Sequence, residues 1–178
     1  MTIEAFKKEI ILSIGSSTAA YRERLAKQII ADEVPVKDLV SLLLEAPPIS
    51  TRFSWLLGDI STQSPVKSKE ILQACFEIYF QIKIKNFDRT LSKQAMICGH
   101  DIPEKLEGEI VDKLFDWLID PKISVSTKNN CLFALENLCT KYPELKAELI
   151  TCINDQKELN TRSFQKRADK VLANLTKP

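Results

Sequence analysis

Glycine and histidine are nearly missing from this chain, whose 178 residues include four glycines and one histidine. The segments around Gly15, Gly58, Gly99 and Gly108 contain no glycine-rich loop, which excludes the common loops that wrap a nucleotide phosphate. A single imidazole can act as base for at most one nucleophile, so triad-type chemistry has little to draw on. An excess of either charge is also lacking: with 25 basic against 24 acidic residues, no global field concentrates nucleic acid or an anionic membrane, and any such binding must be local. Long apolar runs are missing too, and nothing approaches the roughly 20 residues needed to span a bilayer. Met1-Thr2-Ile3-Glu4-Ala5-Phe6-Lys7-Lys8 carries an early acid and polar breaks where a secretory leader requires an apolar run. These absences predict a cytoplasmic protein that does not enter membranes.

Five cysteines (Cys75, Cys98, Cys131, Cys139, Cys152) make an odd count and sit mostly in apolar helical runs, the pattern of reduced, buried thiols rather than of a disulfide framework. The chain length suits one domain, residues 1–178, and 44% apolar content suffices for a continuous core.

Apolar residues recur at spacings of three and four, as in Leu39, Leu42, Leu43 and in Ile110, Val111, Leu114, Phe115, Leu118, while strict alternation is almost absent. The spacing predicts an all-α chain with helices over 2–14, 18–31, 35–46, 50–62, 65–84, 88–98, 103–119, 125–141, 143–153 and 160–175. Pro35, Pro65, Pro103 and Pro143 mark helix starts, since the amide that proline lacks has no helical partner in the first turn. Ser50 and Ser64 are expected N-caps, and Gly15 and Gly99 expected C-terminal stops. The segment 65–84 is the most apolar, with Ile71, Leu72, Cys75, Phe76, Ile78, Tyr79, Phe80 and Ile82 around its circumference, which predicts a central helix with neighbours on several sides.

An internal repeat runs through this pattern. After each helix-opening proline, a basic residue begins a second stretch and a small residue follows six positions later: Arg52/Gly58, Arg89/Ala95, Lys128/Ala134 and Arg162/Ala168. Successive basic positions lie 34 to 39 residues apart, the period of stacked helical hairpins. The repeats are 35–62, 65–98, 103–141 and 143–175, preceded by an atypical capping hairpin, 1–31, in which Arg22 is followed by Gln28.

These residues resemble the HEAT repeats. Leu118-Ile119-Asp120-Pro121 followed by Lys128, Ala134, Leu135 and Leu138 is similar to that family's Asp-Pro turn, basic residue and small/Leu/Leu helix. Glu45 and Asp155 stand seven residues before Arg52 and Arg162, whereas Arg89 has no acid at that place. The resemblance implies a right-handed α-α superhelix, a HEAT/ARM-like solenoid of about five hairpins, with acids and bases paired between neighbouring repeats. From Arg52-Phe53-Ser54-Trp55 through Phe115-Asp116-Trp117-Leu118-Ile119 to Arg167-Ala168-Asp169-Lys170-Val171-Leu172, the chain also resembles short helical-repeat proteins of the Bacteroidetes that carry the label adenylosuccinate lyase. Lyases of that type use a catalytic histidine with a serine on a mobile glycine-rich loop, and this chain has no matching serine loop.

Five groups of residues are candidates for function. Cys98-Gly99-His100-Asp101 could contribute to a metal site or an acid–base pair, but no second ligand cluster accompanies it. Glu107 and Glu109 read as a solvated face. Trp55 and Trp117 read as core, with the alternative that exposed indoles anchor peptides or bases, as in DNA glycosylases built from HEAT-like repeats; Asp116 beside Trp117 invites that comparison. Arg52, Arg89, Lys128 and Arg162 form either an inter-repeat ladder with Glu45, Asp120 and Asp155, or a track for phosphates or an acidic partner. Arg162, Lys166 and Lys170 share one face of the last helix with Asp169. The expected function is a non-catalytic scaffold without metal or cofactor that binds a protein or peptide, with Arg52, Arg89, Lys128, Arg162, Lys166 and Lys170 as candidate contacts. The alternative partner is nucleic acid.

Overall fold

The computed structural model describes residues 2–12 and 18–177, so the expected stop at Gly15 lies outside the described residues. The described residues are all-helical and contain no strand: α1 (Ile3–Leu12), α2 (Ala19–Ala31), α3 (Val36–Ser41), α4 (Ile49–Gln63), α5 (Pro65–Glu77), α6 (Phe87–Cys98), α7 (Glu107–Ile119), α8 (Val125–Lys141), α9 (Leu145–Lys157) and α10 (Arg162–Leu175). No helix among them is long and apolar enough to cross a membrane.

Local chemistry starts and stops these helices. Ser64 caps α5 by accepting from the Lys67 amide at 3.4 Å, with Pro65 as the first helical residue. Thr18 and Ser124 cap α2 and α8 in the same way, accepting from Tyr21 at 3.2 Å and Thr127 at 3.3 Å. Before α8, Asp120 Oδ1 accepts from the Lys122 amide at 2.8 Å and fixes the Asp120-Pro121 turn. Pro35 and Pro103 stand one place outside their helical turns with extended ψ of 136° and 125°, and Pro143 offers its carbonyl to the Lys146 amide at 3.1 Å.

The α2 terminus uses a residue that sequence reasoning did not single out. Glu33 adopts φ 50°, its amide bonds the Ile30 carbonyl at 3.1 Å, and the Val34 amide reaches back to Ile29 at 3.2 Å. This is a Schellman stop with a glutamate where glycine is usual, and the buried pair Ile29 and Val34 supplies its apolar contact. Gly99 does follow the end of α6, with φ +54°, and opens a 3-10 turn, Gly99–Asp101.

Three expectations are corrected. Ser50 is not a cap: α4 begins one residue earlier, with Pro48 in the capping position, and Ser50 is buried inside its first turn. The helix expected over 65–84 ends at Glu77, because Ile78-Tyr79-Phe80 is a run of β-branched and aromatic residues with low helix propensity; Ile78 leaves helical geometry, a 3-10 turn covers Tyr79–Gln81, and Ile82 is extended. Only the front of its apolar surface is core: Ile71, Leu72 and Cys75 are buried, whereas Phe80 is 97% exposed. The stretch expected over 35–46 is α3 followed by a 3-10 turn, Leu42–Leu44.

The chain forms two compact units, Met1–Thr90 and Leu91–Pro178, with the boundary inside α6. In the first, α2 packs on α4, α3 on α5, α4 also on α5, and α1 on α4. Phe6 meets Phe53 edge-on at 6.0 Å between ring centres, within a core that includes Leu25, Ile29, Leu39, Leu57, Ile60, Ile71 and Leu72. In the second, α7 packs on α8 and α9, and α10 packs on α8 and α9, around Leu114, Leu118, Leu132, Leu135, Leu138, Leu149, Ile153, Phe164 and Val171. In both units, helices two apart in sequence are neighbours. All four small residues of the repeat, Gly58, Ala95, Ala134 and Ala168, are buried, as they are where a side chain larger than methyl would push packed helices apart.

Candidate functional site

The basic residues of the repeat all fall in first turns but meet different surroundings. Arg52, in the first turn of α4, is half-buried in a small cleft lined by Ile10, Tyr21, Arg22, Leu25, Trp55 and Leu56. Trp55 is 50% exposed there, which corrects its expected place in the core: it lies on the side of α4 opposite Phe53, Leu57 and Ile60, whereas Trp117 is buried. Beside the cleft, Arg22 donates to Asp59 at 3.0 Å, and Arg24 binds Glu9 at 2.8 Å while lying 5.1 Å above the Tyr21 ring centre. Arg89 is exposed in the first turn of α6.

Lys128 is 2% exposed and donates through Nζ to the side-chain carbonyl of Gln156 at 3.0 Å. Burial holds its pKa below the usual lysine value, with Asp120 and Cys131 opposing that shift. Of the other acids expected in a ladder, Glu45 pairs with Lys7 at 2.6 Å.

On α10, Arg162, Lys166 and Lys170 are all exposed, along the face opposite buried Phe164, Ala168 and Val171. Asp169, the acid on that face, is bound by Lys157 at 2.6 Å. Arg167 stacks over Phe133 of α8 at 4.0 Å and Lys170 Nζ stands 6.0 Å from the same ring, so part of this charge is anchored on an aromatic surface.

The other candidate chemistry is accounted for by neighbours. The Thr140 hydroxyl donates to the Asn137 carbonyl at 2.7 Å, leaving its oxygen to accept from the exposed His100 imidazole, whose Nδ1 lies 3.1 Å away. No group of three or more His, Cys, Asp or Glu side chains is gathered for a metal ion among the described residues. Glu107 and Glu109 do not share a face: Glu109 is exposed, but Glu107 is buried and accepts from both Lys141 Nζ and the Tyr142 hydroxyl, joining the start of α7 to the end of α8. Nothing in the local sequence around Glu107 signalled this burial. Burial also pushes the thiols of Cys75 and Cys139 up to about 12 and about 11, away from the thiolate that a nucleophile requires.

One surface that the sequence did not single out is an open furrow between α3 and α5, with a volume of about 470 Å³. Its floor is Val36, Val40, Leu44, Ala74 and Ile78; Glu70, Gln73 and Glu77 form the α5 wall, and Lys37 and Ser41 the α3 wall. The two helices run in the same direction, because Lys67 in the first turn of α5 donates from Nζ to the carbonyl of Val34, just before α3, at 3.0 Å. Leu44 is 47% exposed at the far end of the furrow. The periodicity could have pointed here: Val36, Val40 and Leu44 are spaced by four, an apolar stripe along the six residues of α3 and the 3-10 turn that follows it.

Comparison with protein-family models, with curated proteins and with solved structures finds no match to this chain.

Proposed function

We propose that this chain is a HEAT-like helical-repeat scaffold of the α-α superhelix type that binds a segment of another protein in the α3–α5 furrow and performs no chemistry of its own. The observation that carries this reading is the furrow itself: an open trough with an aliphatic floor and polar walls, which is the form of site that receives the apolar edge of a helical peptide. Its support at the level of fold is the pairing of helices two apart within each unit, together with the burial of Gly58, Ala95, Ala134 and Ala168 at the recurring small position. Free cysteines that are mostly buried suit a protein of the reducing cytoplasm.

Nucleic acid is the second reading, favoured by the exposed Arg162, Lys166 and Lys170 on α10. One experiment separates the two: capture of partners from nuclease-treated and untreated lysate by the wild-type chain, by Ala74→Glu and by Arg162→Ala/Lys166→Ala/Lys170→Ala. The scaffold reading expects a discrete protein that survives nuclease, is lost with Ala74→Glu and is kept by the triple variant. Captures that vanish with nuclease and with the triple variant, while Ala74→Glu retains them, overturn it in favour of nucleic acid.

A further inference from the structure

The charges on the furrow walls specify what kind of segment fits it. Glu70 and Glu77 are seven residues apart, and both are exposed on the same wall. Seven residues is close to two helical turns, so the carboxylates stand about 10.5 Å apart along α5 at nearly the same azimuth. Gln73, one turn before Glu77, donates to its Oε1 at 2.9 Å and holds that carboxylate in place. Lys37 stands on the opposite wall, and among the described residues neither Glu70 nor Lys37 makes an ion pair. The floor between them offers apolar contacts at Val36, Val40 and Leu44 on one side and Ala74 and Ile78 on the other, a length of about two turns.

We infer that the furrow takes an amphipathic helical segment of a partner protein, about two to three turns long, with apolar residues at i, i+4 and i+7 on the floor, two basic residues seven apart facing Glu70 and Glu77, and an acidic residue facing Lys37. This rests on the scaffold reading and adds the partner's chemistry and its orientation. Opposite charges on the two walls admit the helix in one rotational setting, because turning it over sets like charges against each other. Wall charges of this kind contribute more to selection among partners than to affinity, which comes from the floor.

The test is a displayed library of 14-residue peptides with apolar residues fixed at i, i+4 and i+7 and the remaining positions randomised, selected in parallel against the wild-type chain and Glu70→Lys/Glu77→Lys. Both substituted residues are exposed, and the fold of the variant is checked by its far-UV circular dichroism and melting temperature. Binders of the wild type are expected to be enriched at least several-fold in Lys or Arg at two positions seven apart. The double variant is expected to reverse that preference to Asp or Glu, and amide shifts of bound protein are expected to fall on α3 and α5. Binders that map to α3 and α5 with no charge preference, or with one that the double variant leaves unchanged, overturn the inference and leave the scaffold reading standing. Failure of every peptide to bind, or shifts confined to other helices, overturns both.

Discussion

The Lys128 ammonium is enclosed within the second unit, 2% exposed, and its hydrogen bond goes to the neutral side-chain carbonyl of Gln156, 3.0 Å away and 28 residues on. An amide oxygen offsets only part of the hydration the charge has given up, and this is why burial lowers the lysine's pKa even with Asp120 nearby. The residue's repeated position therefore serves the inside of the molecule, its long stem filling space that a surface lysine leaves to water.

Replacing it with a neutral side chain of similar shape removes that cost. Lys128→Met is expected to be as stable as the wild type or up to about 1 kcal/mol more stable at neutral pH in urea unfolding, since Gln156 Oε1 keeps the Asn160 amide at 3.4 Å as a donor. The folded-state pKa lies below the ordinary 10.5, so the unfolded chain holds this proton more tightly. Wild-type stability at this position therefore rises as pH climbs towards 10.5, and the gap to Lys128→Met narrows. A gap that widens with pH contradicts this account.

Glu107 has the opposite character, a buried acid satisfied by two donors. Its bond to Lys141 raises the lysine's pKa above 10.5, and its bond to Tyr142 raises the phenol above 10.0, against a smaller opposing effect of Lys141 on the phenol. Both contributions are complete below the unfolded values and are lost as pH rises through the raised ones. Glu107→Gln is expected to lower the melting temperature by several degrees at neutral pH, and to flatten the fall of stability above pH 10. A melting temperature equal to the wild type's removes the link between α7 and α8 as a source of stability.

The two residues at helix stops call for opposite substitutions. Glu33, at φ 50°, occupies the left-handed region with a β-carbon, so Glu33→Gly is expected to stabilise by about 0.5–1 kcal/mol. Gly99→Ala is expected to destabilise by about 1 kcal/mol at φ +54°, from backbone strain alone, since the added carbon meets Asn137 Nδ2 at an ordinary 3.6 Å. Chemical denaturation of both variants checks the signs, and equal signs refute the assignment.

The buried small residues of the repeat tolerate no added volume. Ala134→Leu and Ala168→Leu, at positions with no exposed surface, are each expected to cost about 1–3 kcal/mol through overpacking. Calorimetry of the two variants beside Ala173→Leu, on the exposed face of α10, provides the comparison; a loss equal in all three shows that the position in the repeat is not what matters.

Acrylamide quenching reads the two tryptophans separately. Trp55→Phe, which leaves buried Trp117, is expected to emit at shorter wavelength and resist quenching, whereas Trp117→Phe leaves the half-exposed Trp55 and is expected to be quenched readily. Equal quenching of the two variants is incompatible with the exposures described.

The amino-acid order by itself determined the all-helical character, most helix starts and the recurring buried small position. Spacings of three and four, serine and threonine caps and prolines in first turns act within a few residues, so they can be read without knowing what lies across the fold. Even the local errors have local causes, as where the run Ile78-Tyr79-Phe80 ended α5 early. The tertiary structure alone decided which side chains meet. That Lys128 is enclosed and Arg162 exposed, that Glu107 is buried and accepts hydrogen bonds from residues 34 and 35 positions away, and that Trp55 faces outward while Trp117 faces inward all depend on which helix lies against which. The same holds for the furrow, whose walls come from two helices with α4 between them in the chain: periodicity gives each helix an apolar side, but only packing fixes how much of that side is covered and which charges are left facing outward.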